Sequence, residues 1–220
     1  MKLLLTSAGV KNASINDAMV ELLGQPVADT DALCIPTATY AMRGPPSSYR
    51  FITGTASTPM CELGWRSLGV LELTALPSLV KGEWVSWVQE ADVLLANGGD
   101  SLYLSYWMRE CGLLDLLPSL EEKVWVGLSG GSMVMTPCIG KDFMHWPTPD
   151  GSDRALGVVD FSIFPHLDHP NMPTNSMTDA EKWAAEIPGP AYAIDDQTAV
   201  RVVDGQVDVI SEGHWKLFNA

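Results

Sequence analysis

The segment Gly127-Leu128-Ser129-Gly130-Gly131 fits the pattern G-x-S-x-G. It follows a short apolar run, Lys123–Gly127 (KVWVG), and leads into a Met-rich helical start at Met133–Met135. A serine on a glycine turn between a strand and a helix is a candidate nucleophile, the arrangement called a nucleophile elbow. The turn must be so sharp that its neighbours can hardly carry side chains, and glycine supplies that conformation. The helix behind it aims backbone N–H groups at the site, where they could stabilise an oxyanion. The same residues would also serve as a plain strand-to-helix turn or a phosphate-binding loop.

A second glycine turn, Asn97-Gly98-Gly99-Asp100, ends another apolar run, Asp92–Ala96. Ligands gather at the carboxyl ends of parallel strands, so both turns are expected on one rim. There the N–H of Gly99 could pair with that of Gly130 as a two-donor oxyanion hole. Asp100 or Ser101 is the candidate cap of the next helix, and Asp100 is also a candidate substrate contact. Taken alone, this motif is a tight turn before a helix.

A serine nucleophile needs a base. Of His145, His166, His169 and His214, the second and third follow the expected strand Val158–Phe164, and His166 is nearest its end. That makes His166 the candidate base. The acid that would orient it is open among Asp142, Asp150, Asp153, Asp160 and Asp168. Asp142 closely follows the helix after Ser129, in a loop that could fold back over the rim, and is the first choice. The His166-Leu167-Asp168-His169 segment also has metal-binding residue types. Two histidines on a proline-bounded loop with no third make a poor ligand set, and no metal is assigned.

These residues need a scaffold. The chain has 220 residues (23.8 kDa), 46% apolar and 18% charged, a composition suited to one folded domain. Its strands are expected at Lys2–Ser7, Asp31–Pro36, Gly69–Leu76, Asp92–Ala96, Lys123–Gly127 and Val158–Phe164. Helices are expected at Asn16–Leu23, around Cys61–Ser67, and at Trp84–Gln89, Ser101–Cys111 and Asp179–Ile187. Alternating strands and helices predict an α/β fold with a mainly parallel sheet covered on both faces. The tail alternates as short strands, Ala191–Ile194, Ala199–Val203 and Gln206–Ser211. Asp204-Gly205 is a hairpin turn there. Thr37–Thr58, rich in Thr, Ser, Gly and Pro, reads as a long loop. It carries Tyr40, Arg43, Tyr49 and Arg50, as a lid or substrate contact or as plain surface.

The formal net charge of −14 leaves no basic patch for nucleic acid and disfavours anionic membranes. The apolar run Leu3–Leu5 is too short for a signal peptide and reads as a buried strand. Four widely spaced cysteines without a CxxC pair suit free thiols in a reducing cytoplasm.

Together the Asn97–Ser101 segment (NGGDS), the Gly127–Ser132 segment (GLSGGS) and the Phe164–His169 segment (FPHLDH), with Ala191–Ala199 (AYAIDDQTA) near the end, resemble peptidase family S51, the family of α-aspartyl dipeptidases and cyanophycinases. The resemblance covers most of the chain. It implies a flavodoxin-like, class I glutamine amidotransferase-like three-layer sandwich with antiparallel C-terminal strands. Ser129 then matches the nucleophile, His166 the base, and Gly99 and Gly130 the oxyanion hole, while Asp142 lies near the acid's place. The turn reads S-G-G-S where S-A-G-A is commoner, a loss of one methyl group. The implied activity is that of a cytoplasmic serine peptidase acting on dipeptides or short peptides, as monomer or homodimer, with no cofactor. An aspartyl substrate would call for an arginine partner. None lies between His166 and Arg201; Arg154 precedes His166, and Arg43 and Arg50 sit in the early loop, where they are the candidate substrate contacts. The residues also admit an α/β-hydrolase esterase, or a non-catalytic binding protein on the same fold.

Overall fold

The computed structural model describes residues Met1–Ala220. In chain order it contains β1 (Lys2–Thr6), α1 (Ala13–Leu23), β2 (Asp31–Ile35), α2 (Pro45–Ile52), β3 (Ser67–Val70), α3 (Lys81–Glu90) and β4 (Val93–Ala96). Then follow α4 (Ser101–Glu110), α5 (Leu113–Leu116), β5 (Val124–Leu128), α6 (Gly130–Met133), β6 (Ser162–Phe164), α7 (Met177–Glu186), β7 (Ala191–Ile194), β8 (Thr198–Val203), β9 (Gln206–Ser211) and β10 (Trp215–Phe218).

Seven strands form the main sheet in the order β3-β2-β4-β5-β1-β8-β9. The first five run parallel; β8 and β9 are antiparallel additions at one side. Parallel strands buried on both faces must be apolar at successive positions. Leu3 and Leu5 accordingly join one core with Leu94, Ala96 and Trp125, while Leu4 joins the other with Val93, Leu95, Val124 and Val126. The expected α/β architecture with antiparallel C-terminal strands is what the chain adopts. No helix is long and apolar enough to cross a membrane.

The sheet places the ends of β1, β2, β4 and β5 side by side. Their register pairs Thr6 with Leu128 and Ala96 with Gly127. The loops leaving these ends therefore meet above the centre of the sheet, the usual ligand-binding place in such folds.

Several elements differ from expectation. Thr37–Thr58 is not one loop: it holds a 3-10 turn at Thr37–Ala41 and helix α2, which starts with Pro45 and Pro46. Proline at a helix start removes only an N–H that would be unpaired anyway. No helix forms around Cys61–Ser67; turns lead there directly into β3. The strand expected at Gly69–Leu76 lies earlier, as β3, and shares only Gly69 and Val70 with it, while that expected at Val158–Phe164 shortens to β6. Helix α1 begins earlier, at the cap Asn12, whose side chain accepts from the Ile15 N–H. A second sheet, β10-β7-β6, was not expected. Its strands are short and packed under α7 through Phe164, Trp183, Ala191 and Ala193.

Candidate active site

Ser129 stands between β5 and α6 with φ 49° and ψ −111°. A non-glycine residue there is strained by about 1–3 kcal/mol and needs surroundings that hold it. Thr6, at the end of β1, does so. Its carbonyl accepts from the Ser129 N–H at 3.0 Å and from the Ser132 hydroxyl at 2.7 Å. Its own hydroxyl donates to the Gly127 carbonyl at 2.7 Å and accepts from the Gly9 N–H at 2.8 Å.

The glycines around Ser129 allow close backbone approach. A Cβ on Gly130 would lie inside the carbonyl oxygen of Gly99, and one on Gly131 inside that of Ala96. The methyl that the S-A-G-A pattern carries at this point is therefore excluded here by the second glycine turn. That turn is fixed from the 3-10 turn after β2: the Asn97 amide donates to Thr39 Oγ1 at 2.7 Å, and the Thr39 hydroxyl donates to the Gly98 carbonyl at 3.1 Å. Gly99, at φ 134°, lies against the Ala38 carbonyl, where no side chain would fit. The Gly99 N–H has no acceptor within the chain, and that of Gly130 opens α6 without an intrahelical partner.

His166 follows β6 in a left-handed conformation, φ 57°. Its Nε2 lies 2.9 Å from Ser129 Oγ and its Nδ1 2.7 Å from Asp196 Oδ1. An ionised carboxylate only accepts, so Nδ1 carries the proton and Nε2 is left to accept from the Ser129 hydroxyl. The sequence-predicted Ser129 and His166 are thus brought into hydrogen-bond contact.

The carboxylate beside His166 is Asp196, not Asp142. Asp142 sits exposed on a 3-10 turn, Lys141–Phe143, and bonds to neither Ser129 nor His166. The loop after α6 does fold back, but Trp146 makes the contact, donating its N–H to Asp100 Oδ2 at 2.8 Å. Asp196 comes instead from the turn between β7 and β8, 30 residues after His166. Of the other acids considered, Asp150 pairs with Arg154, Asp153 accepts from the Gly140 N–H, and Asp168 pairs with His214.

Asp196 is held by more than the imidazole. Ser7 Oγ donates to its Oδ1 at 3.3 Å, while Lys11 Nζ at 3.5 Å and His169 Nε2 at 3.6 Å face its Oδ2. Burial pushes its pKa upward, but the hydrogen bond and charge of His166, with the charges of Lys11 and His169, outweigh this and hold it at about 2. His169 Nδ1 accepts from the Asn171 N–H at 3.1 Å. These rings are engaged in hydrogen bonds, and no group of three His, Cys, Asp or Glu is arranged to hold a metal ion.

The expected substrate contacts fall elsewhere. Asp100, 2% exposed, uses both oxygens on backbone groups: Oδ1 caps α4 through the Tyr103 N–H at 2.8 Å, and Oδ2 takes Trp146. It is a structural cap. Arg50 lies exposed on α2 and bonds Ser47 Oγ at 3.1 Å. Arg43 is exposed just before α2, beyond the Thr37–Ala41 turn that abuts Gly99. Neither touches the Ser129–His166–Asp196 relay.

Sequence reasoning missed Asp196, Ser7 and Lys11. Asp196 did carry a signal: like His166, it stands just beyond a short apolar strand. Ser7 likewise stands directly after the first strand.

The profile of peptidase family S51 matches residues 3–210 of the chain. No curated protein sequence matches it. Among solved structures, it superposes on a protein from Listeria monocytogenes EGD-e provisionally called peptidase E, with TM-score 0.65 and 20% identity, over 96% of this chain and 98% of that one. It also superposes on a peptidase from an acI-B1 Actinobacterium, with TM-score 0.66 and 19% identity, over 100% of this chain and 94% of that one. At such identities the likeness concerns the fold. The family match sets aside the α/β-hydrolase esterase. With its profile spanning nearly the whole sequence and its serine seated at the centre of the sheet's rim, the chain belongs to peptidase family S51 and is an enzyme of the serine-peptidase class.

Proposed function

We propose that this enzyme hydrolyses short peptides, dipeptides among them, through a Ser129–His166–Asp196 triad. The observation that carries the reading is the unbroken relay, with 2.9 Å from Ser129 Oγ to His166 Nε2 and 2.7 Å from His166 Nδ1 to Asp196 Oδ1. A non-catalytic relative would have no reason to keep such an alignment together with two unpaired glycine N–H groups beside the serine.

In this mechanism Ser129 Oγ attacks the scissile carbonyl as its proton passes to His166 Nε2. The N–H groups of Gly99 and Gly130 hold the resulting oxyanion. Collapse of the tetrahedral intermediate breaks the C–N bond, and His166 gives its proton to the leaving amine. Water then attacks the acyl ester, losing a proton to Nε2, and the second collapse returns that proton to Ser129. Throughout, Asp196 keeps the imidazole in one tautomer and stabilises its charged form.

Arg43 forms no ion pair and is the candidate partner for a substrate carboxylate, so an aspartyl first residue is one substrate class to examine. The test is a dipeptide panel with Asp-X and neutral X-Y members. It is run beside Ser129→Ala and with fluorophosphonate labelling of the wild type. Turnover and labelling that vanish in Ser129→Ala, a loss of at least about 10⁴-fold, support the triad. An intact wild-type protein that neither labels nor cleaves any member refutes it. Preference for Asp-X that Arg43→Ala abolishes through KM would assign the arginine; equal turnover of neutral dipeptides would remove it.

A further inference from the structure

We propose that Ser7 is a positioning residue for the base, a role that rests on the serine-peptidase reading above. Ser7 is the first residue after β1 and is fully buried. The His166 N–H donates to its Oγ at 2.7 Å, and Oγ lies 3.3 Å from Asp196 Oδ1. A hydroxyl has one proton to give and lone pairs to accept. Here the acceptor side is taken by a backbone N–H, and a carboxylate cannot donate. The Ser7 proton therefore points at Asp196.

The bonds close a ring. It runs from the His166 N–H to Ser7 Oγ, on to Asp196 Oδ1, and back through the Nδ1 proton to the His166 imidazole. One hydroxyl thus ties the backbone of His166 to the partner of its own side chain. That bond matters more because His166 sits at φ 57°, a left-handed conformation uncommon for a non-glycine residue. Without the ring, the imidazole could turn away from Ser129 while the main sheet stayed intact.

Ser7 is itself fixed. Its N–H donates to the Thr198 carbonyl at 3.2 Å, and five residues on, the Asn12 amide donates to the Gln197 carbonyl at 2.8 Å. The segment after β1 therefore grips the Asp196 turn at two points and reaches the base at a third.

The test compares Ser7→Ala and Ser7→Thr with wild type in two readouts. The first is the rate of fluorophosphonate labelling at Ser129, with kcat and KM where a peptide substrate is turned over. The second is the low-field proton resonance of the hydrogen-bonded His166 Nδ1–H, which does not depend on turnover. Ser7→Ala should label about 10–100-fold more slowly, the scale of a small misplacement of a reacting group. The loss should fall on kcat with KM unchanged, and the Nδ1–H signal should broaden or disappear. Ser7→Thr, which keeps the hydroxyl, should restore both. Wild-type rate and resonance in a folded Ser7→Ala overturn the proposal. So does an equal loss in both variants accompanied by equal loss of thermal stability, which would mark a packing effect. If the wild type does not label at all, the peptidase reading fails, and the resonance alone decides the role of Ser7.

Discussion

The two halves of the site are built in different ways. Around Ser129 and Gly99 the geometry is backbone geometry: positive φ values, glycines in van der Waals contact, and peptide groups tied to β1 and β2. Around His166 and Asp196, apart from the positive φ of His166, it is made mainly by side-chain hydrogen bonds between residues far apart in the chain. Ser7 and Asp196 are 189 positions apart, and His166 and Ser7 159. The first half is imposed by steric exclusion, which tolerates almost no substitution. The second is held by several partial supports, and its losses should be graded.

The sharpest way to break this contrast is at the acid. Asp196→Asn should lower kcat by up to about 10⁴-fold, because an amide can donate to Nδ1 and favour the wrong tautomer. Asp142→Asn should match wild type. Equal effects of the two substitutions would dismiss the relay. Gly130→Ala comes next. Its methyl must push apart the two glycine turns, so kcat should fall about 10²–10³-fold, the cost of losing an oxyanion donor. Labelling kinetics with and without a peptide substrate will show whether the nucleophile survives while the hole does not.

The third expectation concerns acid stability. Asp196 titrates at about 2 in the fold, against the ordinary aspartate value of 3.8. A depressed carboxylate contributes its full stability above the unfolded value and loses it as the pH falls through the folded one. Wild-type stability should therefore drop more steeply between about pH 4 and pH 2 than that of Asp196→Asn, measured by denaturant unfolding. Parallel curves would mean that Asp196 is not held by its neighbours. The smallest effect belongs to Lys11→Met. This charge, on a side chain 26% exposed and 3.5 Å from Asp196, should be worth only a few-fold in kcat, fading with added salt.

The same contrast decides what can be read from sequence. Steric turns leave glycines at fixed spacing, so Gly99, Ser129 and Gly130 are visible as two motifs, and the parallel sheet follows from its apolar runs. His166 is found by its place after a strand. Asp196 stands in an equivalent place after β7, but a carboxylate in a polar turn looks like any other, and nothing local says which one reaches a histidine. Searching only the stretch between Ser129 and Asp168 leads to Asp142, although that loop is tied down through Trp146 and Asp100. Asp100 fails as a substrate contact for a related reason: a helix cap and a ligand contact use the same residue type. Helix α2 hides behind Gly, Pro and Ser, which read as loop until Pro45 is seen to occupy a first helical turn. The second sheet is lost because strands of three and four residues carry too little periodicity.

Asp196 sits where the chain leaves the small sheet through β7 and enters the main sheet through β8. His166 likewise leaves the small sheet through β6. His166 therefore hangs from the small sheet, Asp196 bridges the two sheets, and Ser129 is anchored in the main one. Fraying of β6, β7 and β10 away from the main sheet would disconnect the relay without melting the core that carries Ser129. Thermal inactivation should then precede global unfolding, making catalytic competence a gauge of how tightly the two sheets remain docked.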